Sequence, residues 1–91
     1  MNARISDFVL GSVDHPKREH HETWLYYHLK RAAASRVEME SAPCFGDYAD
    51  AEIALCSALA RASEHYRALL RMGPAIEPLL AQMAMTEGLT P

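Results

Sequence analysis

A chain of 91 residues holds one domain at most, and at that size it buries only about 60–65% of the surface its unfolded form exposes. Its 49% hydrophobic content excludes a disordered polymer, yet much of that fraction is alanine, which favours helices and adds little buried area. A formal charge of −3 argues against obligate nucleic-acid binding, and Cys44 and Cys56 are too few and too badly placed for a disulfide scaffold or a metal knuckle.

The first stretch, MNARISDFVLGS, has no long apolar core, so no secretory signal is expected. No run approaches the ~18 apolar residues of a membrane span, and a cytoplasmic protein with reduced thiols is the expectation. Proline and glycine divide the chain into four helical pieces. The first covers 3–10: Asn2 can cap it, Ile5, Phe8 and Val9 share a face, and Gly11 ends it.

The second piece covers 16–40, with Asp14 or His15 as the cap and Pro16 in the first turn, where its missing N–H does no harm. Leu25, Leu29, Ala32, Ala33 and Val37 define its inner face, with Tyr26 and Met39 at the edges. Arg36 falls near the middle of that face, so it must snorkel, pair with an acid or meet a partner. The third piece covers 47–72. Asp47 is its expected cap, Asp50 and Glu52 suit the positive end of the dipole, and Gly73 is the expected left-handed terminator before Pro74.

Within that third piece Tyr48, Leu55, Ala62 and Leu69 recur every seven residues, with Leu59 and Tyr66 alongside and Ala51 and Ala58 flanking. Seven-residue spacing predicts shallow-angle packing against a long neighbour, and the second piece lies within reach through the turn at Ser41–Gly46. The last piece, 77–87, places Pro78 in its first turn and stops near Gly88. Ile76, Leu79, Leu80 and Met83 form an apolar side that can close over one end, with Met83 and Met85 filling gaps.

The expected fold is a single all-α domain over 1–91: an antiparallel hairpin of two long helices with short N- and C-terminal helices. Leu55, Leu59, Ala62, Tyr66 and Leu69 are its core or dimer seam. Ile53, Cys56, Ala60 and Leu70 lie off that stripe, so a homodimer completing a four-helix core is expected.

Chemistry concentrates in EHHETWLYYHLKR, Glu19 to Arg31. Two ligands on one helix reach one ion from i,i+3 or i,i+4 positions, as in Glu-x-x-His. His20 and His21 point ~100° apart, His21 and His28 stand ~10 Å apart along the axis, and no His pair has the i,i+4 spacing. Glu19 and Glu22 are three apart without a Glu-x-x-His. A metal site therefore needs another helix, for instance from His21, His28 and His65; otherwise the histidines belong at the wet rim of an aromatic face. No metal and no cofactor are expected.

Protonating all five histidines would move the formal charge from −3 to +2, which is an inventory of titratable groups rather than a sensor. Five basic residues, Lys17, Arg18, Lys30, Arg31 and Arg36, stand among Trp24, Tyr26 and Tyr27 and could grip phosphates and stack bases. Acids dominate the stretch that follows, from Glu38 to Glu64, and no nucleic-acid-binding signature appears. Catalysis has less support: Cys56 and His65 fall on opposite faces of one helix, and no glycine pattern cradles phosphate.

Protein recognition is the leading expectation. Trp24, Tyr27, His28 and Arg31 form an outward strip of residue types enriched at interface hot spots. In size and architecture the outline resembles small helical inhibitors such as quorum-sensing antiactivators and phage-encoded anti-CRISPR proteins. That resemblance implies a non-enzymatic adaptor or inhibitor that masks a surface of a larger protein; it covers no motif and assigns no residue.

Overall fold

The computed structural model describes residues 11–73 and 75–89. The helix expected over 3–10 lies outside the described residues. Three helices follow in order: α1 Arg18–Glu40, α2 Phe45–Met72 and α3 Pro78–Thr86. No helix among the described residues is long and apolar enough to cross a membrane.

α1 starts two residues later than expected, and neither Asp14 nor His15 caps it. The residues before it are tied into a turn of their own: the Asp14 amide donates to Ser12 Oγ at 3.1 Å and the Lys17 amide to His15 Nδ1 at 3.1 Å. Extended Lys17 then takes the cap position. α2 starts earlier than expected, because extended Cys44 occupies the cap and leaves Asp47 in the first turn. A carboxylate there still faces the positive end of the helix dipole.

Gly73 is not a left-handed terminator. Its backbone is extended (φ 165°), and its amide closes on the Leu69 carbonyl at 3.2 Å. The left-handed residue is Gly88, φ 81°, which ends the turn after α3 where a Cβ would be strained. Pro78 opens α3, and the Glu77 carboxylate accepts from the Leu80 amide at 3.0 Å, a cap the sequence reading did not name.

α1 and α2 pack against each other as the hairpin, and their seam departs from the expected one. Buried positions on α2 are Ala51, Ala58, Ala62, His65, Tyr66, Ala68 and Leu69. Ala51, Ala58 and His65, seven apart, therefore sit inside rather than on the flank. On α1 the buried residues are His21, Leu25, His28, Leu29, Ala32 and Ser35. Ala33 is exposed and Val37 is 62% exposed, correcting the inner face drawn through them. The physical reason is periodicity. Free helical drift carries a 3.6-residue face from Leu29 to Ala33 and Val37, whereas a seam held at 3.5 runs His21, Leu25, His28, Ala32, Ser35. Alanines on α2 permit the close approach that holds it.

The core joins Leu25 and Leu29 of α1, Ala62, Tyr66 and Leu69 of α2, and Leu80 and Ala84 of α3. Leu70, Ile76, Met83 and Leu89 pack around it. Met85 and Leu79 do not: they are 72% and 56% exposed. Arg36 pairs with Glu87 beyond the end of α3, and that pairing resolves its awkward place on α1. The principal-axis extents are 42 × 37 × 15 Å.

Candidate functional site

All five histidines gather at the end of the hairpin where α1 begins and α2 finishes. His15 stacks on His20 with centroids 4.0 Å apart, and His20 meets His21 edge-on at 5.1 Å. His65 of α2 lies 5.1 Å from His21, 5.9 Å from His20 and 5.8 Å from His28. His21 and His65 are fully buried and His28 nearly so. Of the histidines expected at a wet rim, His21, His28 and His65 thus lie in the seam, while His15 and His20 are half-buried.

Hydrogen bonds fix how these rings carry their protons. A carbonyl can only accept, so His20 donates from Nε2 to the Ser12 carbonyl at 2.8 Å, and His21 from Nε2 to the His15 carbonyl at 2.7 Å. The Nδ1 of each neutral ring then keeps a lone pair. His21 Nδ1 lies 2.9 Å from His65 Nδ1, so His65 must be the donor there. That leaves His65 Nε2 as a buried nitrogen without a hydrogen-bond partner among the described residues. Such atoms are uncommon in native proteins.

Burial, and then the neighbouring His21, His28 and His20, push His65 down to about 4, with the Gly11 backbone opposing. His28 is also lowered, first by burial and then by Arg31 and Arg61, with Glu64 opposing. Both shifts favour the neutral form of these two rings, the form that binds metals.

One nitrogen from each of His20, His21 and His65 lies within 4.8 Å of the others, the separation a single ion could bridge. Sequence spacing named His21, His28 and His65; the structure brings His20 in and leaves His28 aside, its Nδ1 accepting from Arg31 at 3.4 Å. Adjacent residues ~100° apart on one helix converge because the third ring sits between their directions on the partner helix. A cleft of about 270 Å³ lined by Val13, Asp14, His15, His21, Ala68 and Arg71 opens beside the cluster.

The expected partner strip occupies the outer side of α1. Trp24 is half-buried and meets Tyr27 edge-on at 5.2 Å, and the Arg31 guanidinium lies over the Tyr27 ring at 5.8 Å. Tyr27 is 49% exposed. His28, expected on this strip, is buried beneath it, stacking obliquely on Trp24 at 5.8 Å. The packing of Trp24 on Phe8 weighed from sequence lies outside the described residues. Along α2, Ala62, Tyr66 and Leu69 are in the core, while Leu55 and Leu59 are half-buried.

The sequence reading missed His20 as a cluster member and His65 as a seam residue. The available signal was the seven-residue recurrence of Ala51, Ala58 and His65, matched on the other helix by His21 and His28. Comparison with protein families, with curated proteins and with solved structures finds no match for this chain.

Proposed function

We propose that the protein is a small non-enzymatic interaction module that binds and masks a surface of a larger protein through Trp24, Tyr27 and Arg31. One observation carries this reading: Trp24 meets Tyr27 edge-on and Arg31 lies over the Tyr27 ring, a contiguous group half open to solvent on the outer side of α1. Rigid aromatic and arginine groups already held in place lose little freedom on docking, the property of interface anchors. His28, buried below Trp24, supports this group without contacting the partner.

The nucleic-acid alternative loses two of its five basic residues to the fold. Arg18 donates to the Leu69 and Ala75 carbonyls and pairs with Glu22 at 3.6 Å, and Arg36 pairs with Glu87. A protein partner fits what remains better.

The test is affinity capture of a partner from the native host, then measurement with purified components. Trp24→Ala with Arg31→Ala is expected to weaken binding at least about tenfold, or ~1.4 kcal/mol, with little change in melting. Unfolding of the double variant would place Trp24 in the core and defeat the proposal. Salt-dependent retardation of DNA or RNA by the wild type would favour the alternative.

We also infer that a second copy covers the open face of α2. Ile53 is 68% exposed, and Cys56 and Ala60 are exposed beside it in the sequence pattern i, i+3, i+7. That side of α2 is open among the described residues, and a two-fold partner would complete a four-helix core there.

A further inference from the structure

We propose that His20, His21 and His65 form a zinc site with three protein ligands and one position open towards the neighbouring cleft. Three independent features of the cluster converge on it.

The first is placement. The candidate ligand nitrogens lie within 4.8 Å of one another, drawn from both long helices. In a tetrahedral zinc site, with Zn–N bonds of about 2.0–2.1 Å, ligand nitrogens stand about 3.3 Å apart. The His21–His65 pair at 2.9 Å must open by about 0.4 Å, and the widest separation must close by about 1.5 Å. Rotation of imidazole rings supplies shifts of that size without moving a helix.

The second is the outer shell. Metal-binding histidines commonly donate their remaining N–H to a carbonyl or carboxylate, which fixes tautomer and ring direction. His20 and His21 already do so, towards the carbonyls of Ser12 and His15 in the segment preceding α1. Both keep the Nδ1 lone pair that a metal requires.

The third is the contact the ion would replace. Two buried imidazoles share one Nδ1–H···Nδ1 contact, and the second nitrogen of His65 has no partner among the described residues. An ion replacing that contact leaves each ring neutral with one N–H; His65 shifts its proton from Nδ1 to Nε2, and no ring is ionised. Imidazole ligands suit zinc among the common divalent ions, whereas magnesium and calcium prefer oxygen donors.

His21 also lines the cleft it shares with His15 and Arg71, the side from which a fourth ligand would enter. Three neutral ligands leave the ion's double charge uncompensated, so water or a small anion is the fitting fourth ligand. His15 keeps its Nδ1 for the Lys17 amide and stays outside the set.

Chelator-stripped full-length protein at pH 7.5 tests the site by zinc titration calorimetry and by the visible absorption of added cobalt. One ion per chain is expected, with Tm raised on the order of 10 °C at zinc about 100-fold above Kd and restored by EDTA. His20→Gln alters a half-buried ring, so the metal-free variant should melt like wild type while zinc affinity falls at least about tenfold and the tetrahedral cobalt bands are lost. His28→Gln should leave both readouts unchanged. Absence of binding at 100 µM zinc (a concentration on the order of 100 times a micromolar Kd) overturns the proposal. Binding with an unchanged cobalt spectrum in both His20→Gln and His21→Gln overturns it equally.

Discussion

His65 is the residue whose environment most constrains the protein. Fully buried, and unpartnered at Nε2 among the described residues, its ring stays neutral down to about pH 4, against 6.5 in an open chain. Between those values the unfolded chain binds a proton that the folded one refuses. The stabilisation is therefore complete above pH 6.5 and is lost as pH falls towards 4. By pH 5 the loss is about 2 kcal/mol, or on the order of 10 °C in Tm for a domain this size. Thermal melts at pH 7.5 and 5.0 in EDTA should show that drop, and His65→Gln should flatten it; equal Tm values for wild type would mean the ring is charged when folded. None of this could be read from the letter at position 65, since the burial of one imidazole depends on which turn of α1 lies opposite.

At the level of elements, the two long helices were legible and their facing surfaces only partly so. α2 carries its message in seven-residue spacing, and Ala62, Tyr66 and Leu69 lie inside as that pattern implies. α1 is harder to read because its buried and apolar surfaces do not coincide. It buries His21, His28 and Ser35 while exposing Tyr26, Tyr27 and Val37. The seam follows what α2 can accept, and its alanines accept close approach. Enlarging Ala58, which is fully buried, should force the helices apart: Ala58→Leu is expected to cost about 1–3 kcal/mol in chemical denaturation. Ala34→Leu, at an exposed site on α1, should change stability by no more than about 0.5 kcal/mol. Equal effects would show that the alanine seam is not set by contact.

For the whole molecule the governing fact is the open face of α2. Among the described residues, the hairpin closed at one end by α3 leaves the Ile53 side of α2 exposed. Light scattering at micromolar concentration is expected to return twice the mass of the chain, and Ile53→Glu should return a single chain with unchanged helicity. A compact wild-type monomer under the same conditions would refute the dimer.

Alanine content, proline and glycine positions and seven-residue spacing were enough, by themselves, to determine an all-helical chain with two long helices joined by a short turn. Those are local properties, set by backbone propensity and by the repeat distance along one helix. Which residues share a site was decided only when the hairpin closed. His20 and His21 diverge on their own helix and converge only around a ring supplied 44 residues later, and Arg36 finds Glu87 across 51 residues. Spacing within one segment describes directions. Coordination and pairing need distances, and only tertiary packing sets those.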